Sequence, residues 1–321
     1  MSETNQPADG APAPQLPQKK KSRATLGWVI AAAVVVIAVV ATVVVVSVNG
    51  GKAEASGVKT VSIGVADAAQ PYWKTYSALA KKQLNVKVKL VNFTDYSQPN
   101  PALSQGQTDL NEFQHIQYLA NYNVSSSDDL QPIGATAVYP LTLYSTKYTK
   151  ASEIPAGSQV AIPNDAINEA RGLLVLQAAG LISLKNGGTA FSDTTDITDH
   201  TVNVVAVDAA QTAVALQNGS AAASIVNNNF AVDAKLSAKN AIFHDDPSSA
   251  IAAPYVNVFV ARAKDKNNAL YLKLAKLYHD PAVEKGVQAS NGGTAVFRTT
   301  SAATLQADLA KVETDARAAK K

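Results

Sequence analysis

Asn-Glu-Phe-Gln-His-Ile-Gln-Tyr-Leu, residues 111–119, gathers three large rings, Phe113, His115 and Tyr118, into one short stretch. It follows a helix-like segment ending at Gly106 and a Thr108-Asp109-Leu110 turn, so it is expected to leave a strand and open a helix. In α/β folds that is where ligands bind. The plainer reading of the rings is core packing, because positions 115 and 118 are also neighbours on a helix.

The flanking sequence supplies the α/β pattern. Val61, Ile63 and Val65 alternate as in a strand, Tyr72, Tyr76 and Leu79 fall at helical spacing, and Val86, Val88 and Leu90 alternate again. Strand, helix, strand implies a parallel sheet. Ala137 to Tyr144 reads as a further strand, and its Tyr139-Pro140 pair marks an edge or a crossing between lobes. A second unit then starts: a buried strand at 158–162, Asp165 as helix N-cap, and a helix over 166–179 closed by Gly180. Ala215-Leu-Gln-Asn-Gly219 repeats the form of Ala102-Leu-Ser-Gln-Gly106, and each precedes a polar loop that carries a ring, here Asn227-Asn-Asn-Phe230. Residues 254–261 read as a strand returning to the first lobe, and 302–321 as an amphipathic surface helix.

The 321 residues suffice for about two domains, and 47% hydrophobic against 17% charged residues suits a globular α/β protein. Net charge is +3, with no basic face for a nucleic acid. There is no cysteine, which excludes disulfides, thiolate metal sites, a cysteine nucleophile and lipid attachment to an N-terminal cysteine. Residues 1–25, rich in Pro and Ala and ending in Lys19 to Arg23, read as a disordered cytoplasmic tail. Leu26 to Val46 is uncharged and long enough, at about 1.5 Å per residue, to cross a bilayer of roughly 30 Å. A transmembrane signal anchor is therefore set at 26–48 and a linker at 49–57, with everything beyond extracytoplasmic. The alternative is secretion after cleavage near Ala55, where Ala53-Glu54-Ala55 has the small-x-small form.

No hydrolase, P-loop, dinucleotide or zinc-protease motif occurs, and His115, His200, His244 and His279 lack metal-ligand spacing. The expectation is a binding protein that needs no cofactor and no metal. His244-Asp245-Asp246 reads as a solvated turn rather than a ligand cluster. Asn168 and Arg171, three apart near a helix N-terminus, share a face on which arginine can hold a carboxylate by two hydrogen bonds. Taken singly they also fit an ordinary surface pair, as Asn227 to Asn229 fit an ordinary turn.

The motifs together resemble the methionine-binding lipoprotein family, the substrate-binding components of methionine ABC importers. The resemblance rests on 93–100 (FTDYSQPN), 102–106 (ALSQG), 111–119, 138–141 (VYPL), 157–177, 180–185 (GLISLK), 225–231 (IVNNNFA) and 254–257 (PYVN), all in family order. It implies a two-lobed periplasmic-binding-protein fold, type II-like, with lobe 1 at 58–138 plus 254–321 and lobe 2 at 139–253. It implies an aromatic pocket for a thioether from Phe113, His115 and Tyr118 with Tyr139 as a further wall, and Asn168, Arg171 and Asn227 on the amino-acid backbone. The ligand so implied is methionine or a related small amino acid, including a methionine-containing dipeptide, delivered by a monomer to a permease with cytoplasmic ATPases. Three departures stand out, one of them the helix from Ala302, which extends beyond the usual family end. The family's usual lipid-bearing cysteine is missing, and Ala66 to Tyr76 is not the small, Gly-rich loop usual there, so Tyr72 and Trp73 are expected to narrow the pocket. Receptors for another small amino acid or anion, an extracytoplasmic enzyme and a structural wall protein are the rival readings.

Overall fold

The structure is a computed structural model that describes residues 57–319. The tail, the anchor and nearly all of the linker assigned from sequence lie outside the described residues. No described helix is long and apolar enough to cross a membrane.

Ten strands build two five-stranded sheets. They are β1 (Lys59–Val65), β2 (Val86–Asn92), β3 (Leu110–His115), β4 (Gln131–Ala135), β5 (Thr142–Tyr144), β6 (Gln159–Pro163), β7 (Asn203–Val207), β8 (Ala223–Val226), β9 (Ala241–His244) and β10 (Asn257–Ala261). The first sheet has the order β2-β1-β3-β10-β4 and the second β7-β6-β8-β5-β9. In both, the first three strands are parallel and the fourth and fifth are each antiparallel to a neighbour. The two sheets are therefore two copies of one design. They differ in the origin of the fourth strand: β10 joins the first sheet after the whole second sheet has been built, whereas β5 precedes the other strands of its own sheet.

Helices cover both faces of the first sheet. On one face α1 (Pro71–Leu84) carries Trp73 and Tyr76, both at most 1% exposed, against Phe259 and Tyr278. After α2 (Pro99–Ser104), α3 (Ile116–Ser126) lies on the opposite face. The second sheet packs against α4 (Ala166–Ala178), through Leu173 and Leu176 on Ile162 and Ile225, and against α5 (Ala209–Gln217); α6 (Asn228–Asp233) follows β8. α7 (Ala269–Leu277) and α8 (Pro281–Ser290) return to the first sheet beside α1. The last helix, α9 (Ala302–Ala319), buries Leu305, Leu309 and Val312 among Ile116 and Leu119 of α3. The expected surface helix is thus half of the second layer of the first sheet, with only its outer face polar.

The expected strand at 137–144 is interrupted. Ala137–Val138 pairs with Val296–Phe297, Thr142–Tyr144 joins the second sheet, and Tyr139-Pro140-Leu141 lies between them in no strand. Proline cannot donate to a ladder, so the break falls where the chain passes from one sheet to the other.

Candidate functional site: a cavity lined from both sheets

Strand β3 stops at His115 and α3 begins at Ile116, with His115 as the N-cap. Its Nδ1 accepts the Tyr118 N–H at 3.2 Å. Against β10 the pairing jumps from Gln114 opposite Val258 to Glu112 opposite Phe259, so Phe113 is an extra, bulged residue. A bulge re-aims side chains, and here it puts Glu112 and His115 on the same face of a strand where strict alternation would separate them.

On the second sheet's side α4 is capped by Asp165, whose carboxylate accepts the Asn168 N–H at 3.0 Å and also holds the Asn168 side-chain amide. The oriented Asn168 Oδ1 accepts from Asn227 Nδ2 at 2.8 Å, just past the end of β8. That leaves Asn227 Oδ1 buried with no hydrogen-bond partner among the described residues. Arg171, 5% exposed, sits one turn further along α4. Its Nε meets Asp245 Oδ2 at 2.7 Å, its Nη2 donates to the Tyr139 carbonyl at 2.9 Å, and its guanidinium lies 4.2 Å over the Tyr255 ring. Asp245 in turn accepts the Leu141 N–H at 2.8 Å, so the ion pair fastens both ends of the Tyr139-Pro140-Leu141 crossing. Asp245 is not part of a solvated turn, as the sequence suggested. Its side chain is 26% exposed and its partner is far away in sequence, whereas its neighbours His244 and Asp246 are exposed.

One cavity gathers Phe113, His115, Tyr118, Tyr139, Asn168, Arg171 and Asn227. It is partly open to solvent and holds about 100 Å³. Trp73 does not line it. At helical spacing with Tyr76 it points into the first sheet's core, packs edge-on to Tyr76 and Tyr278, and gives its Nε1–H to Asp67 at 2.8 Å. Its neighbour Tyr72 does line the cavity.

The walls differ in chemistry. Tyr96, Phe113 and Tyr118 form a ring wall, with centroids 5.9–6.3 Å apart in tilted and edge-on pairs. Asn168, Arg171 and Asn227 form a polar wall, and Asp67 and Glu112 an acidic one. Burial and the Arg171 charge push His115 down to about 3, so its imidazole is neutral and, with Nδ1 accepting, carries its proton on Nε2. Burial, then the neighbouring Asp67 charge, pushes Glu112 up to about 8, against a hydrogen bond from Thr136 that pulls the other way. Asp67 is also raised, mainly by burial. Sequence reasoning passed over Tyr96 and Glu112, although both lie inside the motifs quoted; Asp67 lies in a loop with no pattern to single it out.

Residues 61–298 match the NlpA lipoprotein family. The chain belongs to this family. The D-methionine-binding lipoprotein MetQ of Salmonella typhi is 36% identical over 238 residues, 73% of this chain and 86% of that protein. Two solved structures also resemble it. The substrate-binding protein of a methionine transporter from Streptococcus pneumoniae is 34% identical with a TM-score of 0.69, covering 74% of this chain and 95% of its own. A nutrient-binding protein from Burkholderia cenocepacia bound to methionine is 33% identical with a TM-score of 0.68, covering 74% and 99%. These likenesses give this NlpA-family chain the two-lobed α/β substrate-binding-protein fold, in agreement with its paired sheets.

Proposed function

We propose that the chain is an extracytoplasmic substrate-binding receptor of a methionine ABC importer, taking methionine or a close derivative into the cavity between its two sheets. The observation that carries this is the polar wall. A fully buried acceptor, Asn227 Oδ1, lacks a donor, and the Nη1 of buried Arg171 makes no hydrogen bond among the described residues. A buried acceptor left without a donor costs about 1–3 kcal/mol, which a ligand's polar backbone would offset. The ring wall suits a polarizable thioether, at about 0.3–1.5 kcal/mol for each sulfur–ring contact. The named ligands of the relatives support the same choice.

In this reading Phe113, Tyr118, His115, Tyr139 and Tyr96 surround the side chain, while Asn168, Arg171 and Asn227 hold the backbone. The lobes, 58–138 plus 254–321 and 139–253, close over it, and the monomer hands it to a permease driven by cytoplasmic ATPases. Residues 26–48 hold the receptor to the membrane. The intact mass of the membrane-extracted chain tests that anchor, because loss of everything before about residue 55 would replace it with cleavage.

Calorimetry of the purified full chain, stripped of endogenous ligand, tests the ligand. L- or D-methionine is expected to saturate at one per chain, and absence of heat from both would sink the methionine reading. Arg171→Lys keeps the charge that Asp245 needs but loses the planar fork, so it should weaken methionine at least tenfold with little change in melting temperature. Phe113→Leu should cost less, since it removes ring contacts and leaves no charge unpaired.

A further inference from the structure

Two of the cavity walls suit a thioether and a carboxylate; the third is acidic. Asp67 follows the end of β1, and Glu112 lies in β3, the next strand, where it pairs with Val65. The bulge at Phe113 turns Glu112 to the His115 face, and both carboxylates line the cavity. Glu112 is 6% exposed; its Oε1 accepts from Thr136 at 2.9 Å, and its Oε2 accepts no hydrogen bond among the described residues. Asp67 is occupied, one oxygen by the Tyr72 hydroxyl and the other by the Trp73 indole.

No positive charge in the wall balances this pair. Arg171 is the one lysine or arginine among the lining residues, and Asp245 holds it. The groups facing Glu112 are Asp67 beyond β1, Tyr72 and Tyr76 of α1, Tyr139 of the crossing and Tyr278 at the end of α7, with Asp233 of α6 acting on Asp67. Those tyrosines are pushed above their ordinary range by burial and stay neutral.

We propose that Glu112, backed by Asp67, is the ammonium-binding and specificity-determining residue of the cavity, so that the three walls take the side chain, carboxylate and ammonium of an α-amino acid. The proposal rests on the amino-acid reading above. Near pH 7 the empty receptor carries Glu112 as the acid, which burial without a cation favours. An arriving ammonium favours the carboxylate. The protonated Glu112 therefore gives its proton to the buffer, and the ligand's ammonium keeps all of its own and donates to the oxygen left behind. His115 is already neutral there and takes no part.

The test is calorimetry of the stripped full chain with methionine in phosphate and in Tris, buffers of very different ionisation enthalpy, at several pH values from about 6.5 to 8.5. The expected result is release of close to one proton per ligand at the acid end, falling as pH rises through about 8. Glu112→Gln keeps the size of the side chain and an acceptor for Thr136. It should abolish most of the release and weaken methionine tenfold or more, yet leave 4-(methylthio)butanoate, which lacks the amine, bound as in the unaltered chain. Methionine binding with no released proton in the unaltered chain would overturn the ammonium assignment alone, and that measurement needs no variant to fold. Methionine bound equally by the unaltered chain and Glu112→Gln would overturn it as well. No binding of methionine at all would overturn the amino-acid reading and this proposal with it.

Discussion

His115 shows how one side chain ties stability to the site. It caps α3, lines the cavity, and stands edge-on to Tyr255 at 5.1 Å, the ring that also lies beneath Arg171. A histidine with a folded pKa of about 3 and an ordinary unfolded value near 6.5 binds more protons when unfolded between those limits. Its contribution to stability is therefore complete above about pH 6.5 and is lost as pH falls towards 3. His115→Asn keeps an acceptor for the Tyr118 N–H and removes the titration. Unfolding free energies from denaturant titrations between pH 7 and 4 should fall less steeply for the variant, the two differing in slope by up to about 1.4 kcal/mol per pH unit. Parallel curves would show that His115 is solvated and protonated in the folded chain. At this scale the sequence was legible where chemistry is local. Phe113, His115, Tyr118, Asn168, Arg171 and Asn227 stand in recognisable stretches and converge on one cavity. Asp245 was misread because its partner, Arg171, is 74 residues away and no local pattern records such a pair. Glu112 sits in the stretch read first, but a carboxylate beside three rings looks exposed until burial is known.

Among the elements, alternation was enough to locate β1 and β2, and Asp165 and Gly180 were enough to bound α4, because each signal lies within the element it describes. The short repeat was informative too. Gly106 and Gly219 both take positive φ, 76° and 79°, after α2 and α5, and each precedes the third strand of its sheet, whose far end supplies site residues. What alternation could not give was the bulge. One extra residue at Phe113 breaks the period of two, and only pairing with β10, some 140 positions later, shows which residue is extra. Trp73 was misassigned for a related reason. The spacing of Tyr72, Trp73 and Tyr76 fits one helix face, but the direction of that face is set by α8, where a Cβ on Gly286 would come within 2.8 Å of Tyr72 Cβ. The close approach of the two helices leaves Trp73 facing the sheet.

Across the whole molecule, the two sheets are joined beside the cavity by residues immediately after Asn227. The Tyr96 hydroxyl, following β2, bonds Asn229, and Asn228 bonds Asn291 at the end of α8. Asn227 thus turns to the polar wall while its two successors clasp the opposite half. On the proposed reading, in which the lobes part to release the ligand, such a clasp would be broken in the open receptor and would therefore favour the closed one and slow ligand escape. Tyr96→Phe removes the hydroxyl and leaves the ring wall in place; Asn229→Ala removes its acceptor. Each should speed methionine dissociation in a stopped-flow displacement experiment about three- to tenfold, corresponding to roughly 0.5–1.5 kcal/mol for one hydrogen bond. The double variant should be no faster than the more severe single one, because both break the same bond. Rates that multiply in the double variant would mean that Tyr96 and Asn229 act on the ligand separately and that the clasp does not govern release.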